Sequence, residues 1–319
     1  MVNPKTSVKL ADRAHPYTGR AVITSRLAED IESAINLALA EDLGLRPQDV
    51  KGTSREFLSQ HDLTTSAIIP APVEASGKIT VKSPGVIAGL EIARRVFTTV
   101  DPMITFIEMA FDGDVVSNAP QEIALLNGNA AALLLAERTA LNFLQRLSGI
   151  ATAARKYAQK ATPAGIAIVD TRKTTPGLRS LEKHAVWLGS GNNHRFGLFD
   201  AVLIKDNHIA ISGGVRQAIE AVRKSRPDVP IEVEVSHLHQ LNEALSEGVE
   251  IIMLDNMQPQ QVREAVRMIA GRSWVEVSGG INLNNIDTYL IDGVDAISIG
   301  ELTHSIHSLD ISFNMAVRT

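Results

Sequence analysis

Six short apolar runs in the second half of the chain constrain the fold more than any other feature. They are IAIVD (166–170), AVLIK (201–205), IEVEV (231–235), IIMLD (251–255), WVEVS (274–278) and AISIG (296–300). Helix-period stretches such as GVRQAIEAVRKS, HLHQLNEALSEG and PQQVREAVRMIAG separate the later ones. Strands spaced in this way with helices between them predict βαβ units and a parallel sheet. Near-continuous apolar runs suit strands covered on both faces. Six strands fall short of a complete eight-stranded barrel, which leaves an open doubly wound sheet or an incomplete barrel. The strand ends favour the barrel. Arg172-Lys173, Lys205-Asp206, Glu234, Asp255, Ser278-Gly279-Gly280 and Gly300-Glu301 all lie at or just past a carboxyl end. Barrel closure gathers such ends at one mouth, whereas an open sheet spreads them along a line.

The first half has a different rhythm. Leu27, Ile31, Ala34, Ile35, Leu37 and Ala38 predict an amphipathic helix over Thr24–Leu43, ended by Gly44. Residues Arg46–Gln60 are polar and irregular and read as a loop. A half-buried strand follows over Gly77–Val86, then a helix near Leu90–Val100 and short strands over Asp101–Ile123, broken by Gly113 and Pro120. A long helix is expected over about 130–160, with Leu141, Leu144, Leu147 and Ile150 on one side, bridging the halves. The reading is an α/β chain of three parts: a polar arm (1–20), an α/β sandwich (21–149) and an α/β barrel carrying the active site (150–319).

Charge is distributed unevenly. The chain carries a formal −5, yet Arg172–His208 holds six Lys/Arg (Arg172, Lys173, Arg179, Lys183, Arg195, Lys205) against Glu182, Asp200 and Asp206. His184, His194 and His208 lie in the same stretch. Cations collected at strand ends of an acidic protein point to a pocket for a multiply anionic small molecule. A pI near 6 without a basic tract argues against nucleic acid. The chain has no cysteine, which excludes disulfides, thiolate metal sites and a thiol nucleophile. No apolar run is long enough to span a membrane and no signal-peptide core is visible, so the expected compartment is the cytoplasm.

Several of these residues also have a plainer role. Ser278-Gly279-Gly280 is a phosphate-loop candidate, because glycine lets backbone N–H groups approach an anion and a helix starting near Asn284 would add its N-terminal dipole. The plainer reading is a tight turn, with Asn284 as a helix N-cap. Arg172, Lys173, Arg195 and Lys205 read as a cationic cluster that requires an anionic ligand. Arginine suits planar carboxylates and lysine suits phosphate. His194 reads as a further cationic or hydrogen-bonding contact, His208 as a loop cap, and His237 and His239 as solvated. Glu234 and Asp255 suit sugar hydroxyls or hydrated Mg2+. Zinc-type spacing is absent. Trp187 and Trp274 read as core residues.

The ordered blocks then resemble one family. DTRKTTPGLRSLEKHAVWLGSGNNHRFGLFDAVLIKDNHI, ERTALNFLQRLSGIAT (137–152), EVEV (232–235), LDN (254–256), SGGIN (278–282), IGELTHS (299–305) and SPGVIAGL (83–90) are similar to the quinolinate phosphoribosyltransferase family. One departure lies after Glu41-Asp42-Leu43-Gly44. The family passes quickly into a GD-[IV]-T motif, whereas sixteen residues here precede His61-Asp62-Leu63-Thr64-Thr65.

The resemblance implies a sandwich domain, an irregular barrel, and a homodimer in which one subunit's sandwich caps the other's barrel. It implies a decarboxylating pentosyltransferase that converts quinolinate and phosphoribosyl pyrophosphate (PRPP) to nicotinate mononucleotide, pyrophosphate and CO2 in NAD biosynthesis. Arg138, Arg172, His194, Arg195 and Lys205 would hold quinolinate. Thr171, Lys173, Glu234, Asp255, Ser278, Gly279, Gly280, Ile299, Gly300 and Glu301 would hold PRPP. Lys173, Glu234 and Asp255 would serve catalysis, and Mg2+ would enter with PRPP, with Glu234 and Asp255 as its candidate protein contacts. Two alternatives remain: a paralogue acting on another pyridine or pyrimidine acid, and a non-catalytic anion-binding protein.

Overall fold

The computed structural model describes residues 16–17, 19–69 and 71–317. Most of the polar arm, residues 1–15 and 18, lies outside the described residues. In chain order the helices are α1 (Gly19–Leu43), α2 (Pro47–Val50), α3 (Arg55–Gln60), α4 (Leu63–Ile68), α5 (Leu90–Val100), α6 (Ala130–Ala161), α7 (Arg179–Leu188), α8 (Asp206–Ser212), α9 (Val215–Ser225), α10 (Leu238–Ser246), α11 (Pro259–Ile269) and α12 (Glu301–His304). The strands are β1 (Glu74–Val81), β2 (Gly85–Val86), β3 (Thr105–Glu108), β4 (Val115–Val116), β5 (Gln121–Asn129), β6 (Ala167–Val169), β7 (Val202–Ile204), β8 (Ile231–Val235), β9 (Ile251–Asp255), β10 (Trp274–Ser278), β11 (Ala296–Ser298) and β12 (Ile311–Val317).

Backbone contacts divide the chain into two units. Of the described residues, the first comprises 16–17, 19–22, 156–173 and 191–301. Its six strands are all parallel, in the order β6-β11-β10-β9-β8-β7. All six strands expected from the apolar runs are present. The first strand pairs with the last, as closure into a barrel requires, and no reversal of order makes a switch point. β6 and β7 are not paired with each other; instead Asn192 bridges to Val169 and occupies the edge of β6. The barrel is therefore incomplete. On β9 Ile251, Ile252, Met253 and Leu254 are all buried, and on β10 Val275, Glu276 and Val277, as strands covered on both faces require.

The second unit comprises residues 23–155, 174–190 and 302–319. Its antiparallel sheet runs β12-β1-β5-β3, with a small β2-β4 ladder beside it. β1 shows the alternating burial of a strand with one wet face. α5 brings Phe97 to 5.8 Å from the Phe313 ring and 6.1 Å from the Phe106 ring, centroid to centroid. Leu141, Leu144, Leu147 and Ile150 of α6 are buried as their spacing predicts. The buried Glu182 of α7 pairs with Arg146 of α6, its Oε1 accepting from Arg146 Nε at 2.9 Å. Thr175 joins the same group: Arg146 Nη2 donates to Thr175 Oγ1 at 2.7 Å and Thr175 N donates to Glu182 Oε2 at 3.1 Å.

Several expectations are corrected. The segment 46–60 is helical in two short pieces: Pro47 opens α2, Ser54 Oγ caps α3 by accepting from Phe57 N, and Val50 and Leu58 are fully buried. Two isolated apolar residues are too few to register as periodicity. β12 was not foreseen, and its antiparallel pairing with β1 takes the chain end into the sandwich unit. Contacts likewise place residues 174–190 there, whereas the contiguous division into 21–149 and 150–319 puts both segments in the barrel. No helix starts at Asn284. Asn282 Oδ1 accepts from Asn284 N, and only a four-residue 3-10 turn follows at Ile286–Tyr289, too short to supply a dipole. Trp187 is 45% exposed rather than core, stacked beside His184. No helix among the described residues is long and apolar enough to cross a membrane.

Candidate active site

The carboxyl ends of the barrel strands surround a cavity of about 530 Å3. Its size suits small ligands, and its wall combines cations, acids and a glycine turn. Thr171, Arg172 and Lys173 line it from the end of β6, and Leu203 and Lys205 from β7. Glu234 comes from β8, Met253, Asp255 and Asn256 from β9 and its end, Glu276, Ser278, Gly279 and Gly280 from β10 and its turn, and Ser298 from β11. His194 and Arg195 complete it from the loop before β7.

Strand geometry explains this membership. Side chains two apart on a strand share a face, so Leu203 and Lys205, Met253 and Asp255, and Glu276 and Ser278 enter in pairs. The outer member of each pair sits at a strand end, where reading the sequence finds it. The inner member Glu276, together with Ser298 of β11 and Glu232 two residues before Glu234, is buried. Their only sequence signal is an acid or serine inside an otherwise apolar run.

Arg195 and Lys205 are held by identifiable partners. Asp170, fully buried at the end of β6, accepts from His194 N at 3.0 Å and from Asn193 Nδ2 at 2.7 Å. Asp200 accepts from Phe196 N and Gly197 N at 2.6 and 2.7 Å, closing the next turn. Between these two carboxylate anchors Arg195 is 5% exposed, and its Nη1 donates to Ala201 O at 3.0 Å. Burial, with the Arg172 charge nearby, lowers the Arg195 pKa from the ordinary arginine value. A buried guanidinium whose charge is disfavoured in this way is a ready counter-charge for an anion. Lys205 forms an ion pair with Glu234, and His208 Nδ1 accepts from Lys205 N at 3.0 Å, the capping role expected for it.

The glycine turn has the geometry of an anion cradle. Gly279 takes φ +95°, and a Cβ there would lie 2.3 Å from Asn256 Oδ1, so only glycine allows this approach. Asn256 N donates to Ser278 O at 2.9 Å and locks the turn to β9. Gly280, at φ +64°, has open space where its Cβ would be.

His194 lines the cavity through a ring that is engaged on both sides. Its Nδ1 accepts from Arg195 N at 2.8 Å, and its Nε2 lies 3.0 Å from Glu232 Oε2 and 3.6 Å from Glu276 Oε2. Both ring nitrogens are therefore engaged within the protein, and the imidazole braces Arg195 from behind. Burial and the Glu232 charge push the Glu276 pKa up to about 7. Among the described residues, His194, Glu232 and Glu276 also form a group whose donor atoms lie within 4.8 Å of one another.

Four expected site residues do not line the cavity. Ile299 is buried in the core, and Gly300 follows it at the strand end. Glu301 accepts a hydrogen bond from Tyr157. Arg138 lies on α6 in the other unit with its side chain 62% exposed.

Residues 150–314 match the family described as quinolinate phosphoribosyl transferase, C-terminal domain, and residues 62–148 match its N-terminal domain. The chain belongs to the quinolinate phosphoribosyltransferase family. A probable nicotinate-nucleotide pyrophosphorylase [carboxylating] of Bacillus subtilis is 43% identical over 82% of this chain and 90% of its own length. The chloroplastic nicotinate-nucleotide pyrophosphorylase [carboxylating] of Arabidopsis thaliana is 37% identical over 98% of this chain and 91% of its own. The crystal structure of NadC from Streptococcus pyogenes superposes with a TM-score of 0.81 at 40% identity, covering 91% of this chain and 97% of that one.

Proposed function

We infer that this chain is a quinolinate phosphoribosyltransferase, a decarboxylating pentosyltransferase that joins quinolinate to the ribose of PRPP and releases pyrophosphate and CO2. The single observation that carries the reading is that Arg172, Lys173, Arg195 and Lys205 share one cavity with Glu234, Asp255 and the Ser278-Gly279-Gly280 turn. A simple anion trap has no use for carboxylates among its cations, whereas a site for both a dicarboxylate and a polyhydroxylated sugar phosphate does.

In this reading Arg172, Arg195 and Lys205 bind the two ring carboxylates, with Lys205 exchanging Glu234 for the substrate. Lys173, exposed at the rim, meets the pyrophosphate, and the Ser278-Gly279-Gly280 turn with Thr171 holds the phosphate end. The pyridine nitrogen attacks the anomeric carbon while the bond to pyrophosphate breaks, so no protein nucleophile is required. Cations preorganised around the leaving polyanion stabilise the charge that develops there. The ring nitrogen becomes positive, and the electron pair left by departing CO2 is stabilised next to it before a proton replaces the carboxylate.

Glu234 and Asp255 offer hard oxygen donors, the type that Mg2+ takes, on adjacent strands of one wall. They would hold the ion together with PRPP oxygens, and when bound it would neutralise pyrophosphate charge. Arg138 belongs to a partner's site in the homodimer we propose, which its exposure on α6 permits. We place the protein in the cytoplasm.

The test is release of labelled CO2 from carboxyl-labelled quinolinate. The expected result is release only when PRPP is present, with stoichiometric pyrophosphate. Efficient turnover of nicotinate in place of quinolinate would reassign the substrate, and ligand binding without pyrophosphate release would make the chain a binding protein.

A further inference from the structure

We propose that Tyr17, carried by the segment ahead of α1, is a positioning residue for the quinolinate half of the cavity, acting through His194 and Glu276. This rests on the substrate assignment above. Tyr17 precedes both matched regions, which begin at residue 62, so nothing in the family match gives it a role.

Three contacts support the proposal. The Tyr17 ring stacks on the His194 imidazole, with centroids 4.5 Å apart and planes inclined by 28°. Its hydroxyl donates to Glu276 Oε2. The chain then passes against the back of the His194 loop: a Cβ on Gly19 would lie 2.0 Å from His194 O and 3.2 Å from Asn193 O, so a larger residue could not follow that path. Tyr17 itself does not line the cavity, whereas His194 and Glu276 do.

The consequence follows from what His194 supports. Its Nδ1 accepts the Arg195 backbone N–H at 2.8 Å, so the imidazole and the Arg195 main chain move together. A second constraint comes from the two acids on its other nitrogen, at 3.0 and 3.6 Å. Tyr17 stacks on a face of the imidazole, and it supplies an O–H donor to the buried Glu276 carboxylate. Without it the imidazole gains freedom, and Arg195 loses its registry with Arg172 on the dicarboxylate side. The PRPP side rests on different elements, the β10 turn and the ends of β8 and β9, and should be insensitive.

Steady-state kinetics on the full chain with Tyr17→Ala, Tyr17→Leu and Tyr17→Phe test this. An aromatic contact of this kind corresponds to about tenfold in affinity. The expected result for Tyr17→Ala and Tyr17→Leu is a KM for quinolinate raised about tenfold, with the KM for PRPP within about twofold of wild type. Tyr17→Phe keeps the ring and should recover most of the loss. Unchanged quinolinate KM overturns the proposal. So does a parallel rise in both KM values, or a fall in kcat with both KM values unchanged, since either marks a role without substrate selectivity. Should Tyr17→Ala not fold, Tyr17→Leu against Tyr17→Phe decides by the same criterion. Wild-type protein that releases no pyrophosphate from quinolinate and PRPP would instead refute the substrate assignment, an outcome separate from any Tyr17 effect.

Discussion

Arg172 and Arg195 face a cavity rather than bulk water, and this sets what their removal should do. Arg172→Ala should weaken quinolinate binding by about 2–5 kcal/mol, the range for deleting one partner of a desolvated charge pair. Calorimetric titration measures it, and unaltered affinity would remove Arg172 from the site. Glu276 gives a pH signature. Its folded pKa, near 7, lies above its unfolded value, so the folded state binds the extra proton between roughly pH 4.5 and 7. Stability is then lost as pH rises through that window, the sign for a raised carboxyl. Glu276→Gln should flatten the change in melting temperature between pH 5.5 and 8, and a variant with the wild-type slope would contradict the assignment. These deep residues were hidden in the sequence, because Glu232 and Glu276 sit in runs that read only as buried strand. By contrast the strand-end residues Lys205, Glu234 and Asp255 were legible, since an acid or lysine that ends an apolar run has a place to go at a barrel mouth.

At the level of elements, local patterns were reliable where they were periodic. β8, β9 and β10 occupy the spans of their apolar runs, and α5 the span of its helical pattern. The short helices α2 and α3 escaped notice because each buries a single residue, with only Pro47 or the Ser54 cap to mark its start. Two elements carry measurable consequences. The Gly279 turn tolerates no side chain, so Gly279→Ala should raise the KM for PRPP by about tenfold or more while leaving quinolinate binding near wild type. Equal loss for both ligands would indicate that the turn organises the whole cavity instead. Arg146→Ala strands the fully buried Glu182 without its ion partner. It should cost about 3 kcal/mol or more in urea unfolding, because the remaining charge stays in an apolar setting. A loss below about 1 kcal/mol would mean that water reaches Glu182.

For the whole molecule, Arg138 connects the monomer to its assembly. Its side chain is exposed on α6, and the proposed dimer would place it in a neighbouring active site. Mixing inactive Arg138→Ala with inactive Lys205→Ala should restore about a quarter of wild-type activity, by random pairing in which hybrid dimers hold one intact site. Absence of recovery, with subunit exchange demonstrated, would place Arg138 outside catalysis. The sequence alone determined the six parallel strands, the cationic strand ends and the family, because apolar periodicity and ordered motifs are local properties of the chain. Tertiary structure decided the rest. It drew β12 and residues 174–190 into the sandwich unit, engaged both nitrogens of His194, and set Tyr17 against that ring. Each of these depends on contacts between residues far apart in sequence, and no local pattern encodes which distant partner a side chain will meet.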